Sequence, residues 1–176
     1  MSHAHSVFCI ATSEVQANRI VESLQENGFS SSDISVLLPD SSGKGDFGHV
    51  KSTKASEGIA TGATTGGIAG GAIGLLAGIG ALAIPGLGAF IAAGPILAAL
   101  SGAAVGATTG GIVGGLIGLG IPEIEAKRYE DKLRTGNYLI SAHAETSEEI
   151  DRAKRIFEAE HAEDISVVSE ATAPAA

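Results

Sequence analysis

The segment YLISAHAETSEEIDRAKRIFEAEHAEDISVV, residues 138–168, carries the signals of a strand, a helix and a second strand in succession. The apolar run at 138–142 predicts the first strand, and Thr146 followed by Glu149 has the spacing of a helix N-terminal capping box. The apolar positions after this box share one helical face: Ile150, Ala153, Ile156 and Phe157. Residues 164–168 predict the closing strand, so the segment is interpreted as one βαβ unit.

The start of the chain repeats this order of signals. Residues 7–11 predict a strand, Ser13 with Gln16 has capping-box spacing, and Gly28 is suited to ending the helix. The apolar positions of that helix are Ala17, Ile20, Val21 and Leu24. Residues 33–38 predict the second strand of this unit.

Both closing strands contain Asp-Ile-Ser-Val, at 33–36 and at 164–167, which indicates a tandem βαβ repeat. Two such units build a four-stranded antiparallel sheet with both helices on one face, the ferredoxin-like α+β arrangement. A further helix with charged pairs at i,i+4 spacing is predicted at 123–135. The second face of the sheet is left to be covered.

An uncharged, glycine-rich insert separates the two units. Residues 58–122 contain 20 of the 25 glycines and no Asp, Glu, Lys or Arg. Within it two series of glycines recur every fourth residue, and we interpret them as helix-packing and oligomerisation positions: Gly58, Gly62, Gly66, Gly70, Gly74, Gly78, Gly102, Gly106, Gly110, Gly114 and Gly118. A glycine costs about 1 kcal/mol relative to alanine in a water-exposed helix, so these glycines require a compensating contact. A glycine stripe provides one by letting another backbone approach closely.

The insert is also an internal duplication, because GATTGGI occurs at 62–68 and again at 106–112. It therefore predicts two equivalent helices, interrupted midway by Pro85-Gly86-Leu87-Gly88 and Gly94-Pro95. The predicted organisation is a first βαβ half with a linker at 1–56, a glycine-zipper helical hairpin at 57–122, a helix with the second βαβ half at 123–170, and a disordered tail at 171–176.

Each arm of the insert has about 25 residues, and a helix needs about 20 to cross the core of a bilayer. Basic residues flank the insert on both sides and are absent from its middle, which places both flanks in the cytoplasm. We therefore expect a bacterial inner-membrane protein with both soluble segments cytoplasmic. The arms are mostly Gly and Ala and lack Trp and Tyr, so the alternative is a cytoplasmic soluble oligomer with the hairpins in a protein core.

Other features point away from an enzyme. A net charge of −9 opposes nucleic-acid binding, which requires clustered Lys and Arg. Cys9 lies in an apolar run and is interpreted as a small buried hydrophobe. Residues 43–48 match GxGxxG but lack the following amphipathic helix, which indicates a linker. The five histidines lack the spacing of metal ligands. We assign no catalytic, cofactor-binding or metal-binding residues and no cofactor.

With its βαβ halves, its glycine-zipper insert and the string EAKRYEDKLRTG at 125–136 before YLIS at 138–141, the chain resembles the bacterial heat-induced or low-temperature-induced general stress proteins. The resemblance covers nearly the whole chain. It implies a ferredoxin-like domain with such an insert and a stress-linked, membrane-associated or assembly role. It supplies no catalytic residues.

Three functions follow as expectations. The first is a non-enzymatic, self-associating stress-type protein whose hairpins pack in or on the inner membrane. The second is a soluble homo-oligomeric scaffold or cargo-like particle with the hairpins in a protein core. The third is a regulatory module that binds a small ligand, which rests on the analogy of paired βαβ units alone.

Overall fold

The computed structural model of the protein describes residues 4–39, 80–84, 88–96 and 111–169. These ranges contain six strands and four helices: β1 (His5–Ala11), α1 (Glu14–Glu26), β2 (Ile34–Pro39), β3 (Gly80–Ile84), β4 (Gly88–Ala93), α2 (Gly111–Gly118), α3 (Glu123–Arg134), β5 (Tyr138–Ala144), α4 (Ser147–Ala159) and β6 (Glu163–Ser169). The predicted elements of both βαβ units are confirmed to within two residues at each end.

One antiparallel sheet contains all six strands, in the order β3-β4-β2-β5-β1-β6. Four neighbours in this order, β2-β5-β1-β6, come from the two βαβ units, and the helices α1 and α4 connect the strands within each unit. This is the predicted ferredoxin-like arrangement, and it is confirmed. Because β1 lies between β5 and β6, the two units interlock and neither forms a sheet alone.

The middle of the insert differs from the prediction. A hairpin of helices was expected at 57–122, but 80–84 and 88–93 are the strands β3 and β4, which form a β-hairpin. β4 pairs with β2, with Phe90 opposite Pro39. The expectation of helix alone is therefore wrong at 80–84 and 88–93, and the predicted four-stranded sheet is extended by two strands. The physical reason is the free edge of β2, whose backbone N–H and C=O groups need partners that β4 provides.

The first core lies between the sheet and the helices α1 and α4. Alternate residues of β1 point into it because successive side chains of a strand face opposite ways. The fully buried side chains here include Val7, Cys9, Ile20, Leu24, Ile34, Ala153 and Phe157. The predicted apolar faces of both helices are confirmed, with Ile150 partly buried at the margin.

The second core lies on the opposite face of the sheet, which α2 and α3 cover. It contains the intervening residues of the strands, together with Phe90 of β4 and Ile96 just after it. The helices contribute Ile112, Leu116, Ala126, Tyr129 and Leu133. The sheet face that the two βαβ units leave bare is thus covered by helices at the boundary of the insert.

Local sequence signals set the helix ends. Thr146 and Glu149 form the complete capping box at the start of α4, as predicted. Ser13 caps α1 as predicted, whereas the Gln16 side chain reaches past it to the backbone N–H of Thr12. Gly28 ends α1 in the left-handed conformation, with φ +95°.

Candidate self-association surface

Helix α2 is the described part of the second glycine series. It buries Ile112, Gly115 and Leu116 against the second core. Its C-terminus closes with a hydrogen bond from the N–H of Ile121 to the carbonyl oxygen of Leu116, 3.1 Å long. One side of the helix is thereby fixed on the sheet, and the other side points away from it.

The side that points away is made of Gly111, Gly114, Ile117 and Gly118, and we call it the outer glycine face. These four residues lie within about one third of the helix circumference, since successive residues turn by about 100°. The Ile117 side chain is 44% exposed. A methyl group placed on Gly114 or Gly118 would meet no described atom within 4 Å. Packing against the described residues therefore does not require glycine at 114 or 118, because larger side chains at these positions would meet none of them.

This geometry corrects one part of the sequence interpretation. A glycine series that packs against another backbone implies that the apolar residues beside it face lipid or other subunits, and in the second series these residues are Ile112, Val113, Leu116, Ile117 and Leu119. Ile112 and Leu116 are instead fully buried in the second core, and Val113 and Leu119 pack against it. Of these five, Ile117 alone is exposed. The bare second face of the sheet was the signal that this helix had a partner within its own chain.

The other predicted packing glycines lie outside the described residues: Gly58, Gly62, Gly66, Gly70, Gly74, Gly78, Gly102, Gly106 and Gly110. Sequence identity relates the first series to α2. Residues 62–74 read GATTGGIAGGAIG and residues 106–118 read GATTGGIVGGLIG, so the two copies differ only at 69/113 and 72/116. Within the described ranges, no helix combines the length and the apolar character that crossing a membrane requires.

The side chain of Tyr129 links α3 to β6. Its hydroxyl donates to the carbonyl oxygen of Asp164 at 2.9 Å, which leaves a lone pair to accept the hydroxyl hydrogen of Ser166 at 2.6 Å. Its ring lies 6.2 Å from that of Phe8, centroid to centroid. Burial raises the pKa of Tyr129 to about 12, and the negative charge of Glu125 adds to this rise. Both hydrogen-bond partners of the Tyr129 hydroxyl belong to β6, so this contact is structural and holds α3 to that strand.

We expect Tyr129→Phe to lower the free energy of unfolding by about 1–2 kcal/mol at neutral pH, through loss of the buried hydrogen bonds. The unfolded chain releases the Tyr129 proton near pH 10, whereas the folded chain holds it to about pH 12. The free energy of unfolding therefore does not vary with pH through this group below pH 10, and it falls by roughly 2–3 kcal/mol between pH 10 and 12 because the unfolded chain releases the proton first. Urea unfolding of both proteins across this range measures the difference. Equal losses in the two proteins would contradict the assignment.

A polar cleft of about 230 Å³ lies at the end of the sheet near the start of α4. Titratable residues of β5, α4 and the adjoining loops line it: Asp33, His143, Glu145, Glu149 and Arg152. Several of these groups already have structural partners. The backbone N–H groups of Glu145 and Thr146 hold the pKa of Glu149 below its ordinary value, and Arg152 donates to the carbonyl oxygen of Asn27 at 3.2 Å.

The described part of the chain bears on two kinds of chemical site, a metal site and a reactive thiol. There, no three His, Cys, Asp or Glu side chains are arranged to hold a metal ion. Cys9 is fully buried in the first core, and burial raises the pKa of its thiol well above the ordinary value. A buried protonated thiol is a poor nucleophile, and the interpretation of Cys9 as a buried hydrophobe is confirmed.

The fold and the surfaces define an α+β protein of the ferredoxin-like class, with an extra β-hairpin at one sheet edge and a glycine-faced helix on the second sheet face. Comparison with family models, with curated proteins and with solved structures finds no significant match to this chain.

Proposed function

We propose that the protein is a non-enzymatic, self-associating protein of the general stress type, and that its glycine-rich segments pack against those of other copies in or on the bacterial inner membrane. The observation that carries this proposal is the outer glycine face. It is uncharged and turned away from the domain that holds the helix. Three glycines around Ile117 form a strip on which a backbone can lie closely.

The charge distribution supports the same proposal. The chain has a net charge of −9, so copies repel one another wherever their acidic surfaces meet. Residues 58–122 contain no charged residue, and contact through this segment avoids that repulsion. Apolar surface removed from water contributes about 25 cal/mol for each Å², which favours burial of a segment rich in Ile, Leu and Ala.

A second candidate is a soluble homo-oligomeric scaffold or particle in which the same segments form a protein core. The pairing of β4 with β2 favours it. This pairing fixes the middle of the insert on the sheet of the acidic domain, whereas a spanning hairpin would carry its middle across about 30 Å of hydrocarbon. Fractionation without detergent separates the candidates, because a membrane protein pellets with vesicles and a particle stays in the supernatant.

Self-association is tested by Gly114→Leu with Gly118→Leu. No described atom lies within 4 Å of a methyl group at either position, so we expect an unchanged fold and a helix no less stable. Between copies the new side chains prevent close approach, and we expect the assembly to fall to the 17.5 kDa monomer in native mass spectrometry.

The matched control is Val15→Leu on α1, which enlarges a side chain that is already 61% exposed. We expect this variant to keep the wild-type mass. Circular dichroism reports whether each variant retains its helices and strands. A folded Leu variant with the wild-type mass would contradict packing through the outer glycine face.

A further inference from the structure

The two edges of the sheet are different in character. β6 and β3 are the outermost strands, and each has one side whose alternate backbone N–H and C=O groups face no described strand. Such an edge is a template for pairing with another strand unless the chain protects it.

The β6 edge carries several features that oppose pairing. Glu163 and Asp164 begin the strand, and Asp164 has a left-handed backbone with φ +48°. The register with β1 shifts between Phe8 and Ile10, which marks a bulge or irregularity. Lys132 of α3 lies over this end, with its Nζ 2.7 Å from the Glu163 carboxylate. Charges and bulges are the usual devices that keep an edge from pairing.

The β3 edge has none of these charges or shifts. Its sequence is Gly80-Ala81-Leu82-Ala83-Ile84, and its register with β4 is regular along all five residues. No charged residue in this sequence repels an incoming strand. Among the described strands, β6 therefore carries charges and a register shift at its edge, and β3 carries neither.

We propose that β3 pairs antiparallel with β3 of a second copy of the chain, so that the two sheets become continuous across a two-fold axis. This inference rests on the proposed self-association and assigns it a second contact. A pairing centred on Leu82 places Ala81 of one copy opposite Ala83 of the other. The strand is thus complementary to itself in both shape and charge.

The length of β3 decides how the contact operates. A two-stranded contact of five residues is weak alone, since isolated strand pairs are marginally stable in water. Assemblies held together through their glycine-rich segments can pair through several β3 strands at once, and after the first pairing the others form at a high effective concentration. The β3 pairing then joins glycine-linked assemblies into larger ones, so its loss lowers the mass of the assembly.

The test is a charge swap at 81 and 83, which lie on the opposite sheet face from buried Phe90. One variant carries Ala81→Lys and Ala83→Lys, and the other carries Ala81→Glu and Ala83→Glu. Like charges directly opposite each other destabilise a strand pair, and opposite charges stabilise it. In native mass spectrometry we expect each variant alone to show at most half of the wild-type mass. We expect an equimolar mixture to recover the wild-type mass.

The matched control places lysines on the other edge, as Val167→Lys with Ser169→Lys, at two exposed positions of β6. We expect the control to keep the wild-type mass. An oligomeric wild type whose Lys and Glu variants keep the same mass would overturn β3 pairing and leave the proposed self-association intact. β3 pairing would also be overturned if each variant alone formed a smaller assembly and the mixture did not recover the wild-type mass. A monomeric wild type would overturn the proposed function itself.

Discussion

Replacing Gly94 with alanine is expected to destabilise the protein by roughly 2–5 kcal/mol, from left-handed backbone strain together with steric overlap. Gly94 has φ +74°, and a methyl group there would lie 2.5 Å from the carbonyl oxygen of Ile34 and 2.8 Å from Oγ of Ser35. Both atoms belong to β2, whose backbone is fixed by β4 and β5 on either side. The overlap can be relieved only by moving a central strand.

The matched control is Gly136→Ala, which has a similar φ of +90° but no described atom within 4 Å of the new methyl group. It isolates the backbone strain, and we expect a loss of about 1–2 kcal/mol. Urea denaturation of both variants gives the two free energies. If Gly94→Ala lowers the free energy of unfolding no more than Gly136→Ala does, then the backbone at Gly94 does not lie as close to β2 as the structure shows.

The second large effect is expected from Phe90→Ala, at about 3–5 kcal/mol. Phe90 is 2% exposed in the second core although it belongs to the insert. Its loss leaves a cavity between the sheet and the covering helices. We expect one cooperative urea transition at a lower midpoint, because the insert hairpin and the domain share this core.

An insert that folds apart from the domain would respond differently. Phe90→Ala would then leave the main transition unchanged or reveal a separate early one. Val15→Ala on the exposed side of α1 serves as the control, and we expect it to change stability by less than about 0.5 kcal/mol. A Phe90→Ala midpoint equal to that of the control would contradict the shared core.

The sequence was sufficient for the parts of the fold that local chemistry decides. The capping box of Thr146 and Glu149 needs only neighbouring residues, and so does the helix end at Gly28. The ferredoxin-like order followed from the repetition of the βαβ unit. These signals act within a few residues and do not depend on distant partners.

The insert was predicted less well because its strands are determined by distant contacts. GALAI and GAFIAA are short apolar runs that periodicity alone cannot assign to strand or helix. They become strands because β2, about 50 residues earlier, offers a free edge. The same applies to Leu116, whose burial depends on the second face of the sheet. The Tyr129 contact with Ser166 likewise joins residues that no local pattern relates.

Hydrogen–deuterium exchange at rising protein concentration tests directly whether copies associate through the outer glycine face. Those amides at 111–118 that make helical hydrogen bonds exchange when the bonds open locally in a free helix, and packing of a second copy suppresses this opening. We predict that their exchange slows as concentration rises, whereas exchange in α1 stays constant. Exchange at 111–118 that is independent of concentration, in samples that light scattering shows to be associated, would contradict the account.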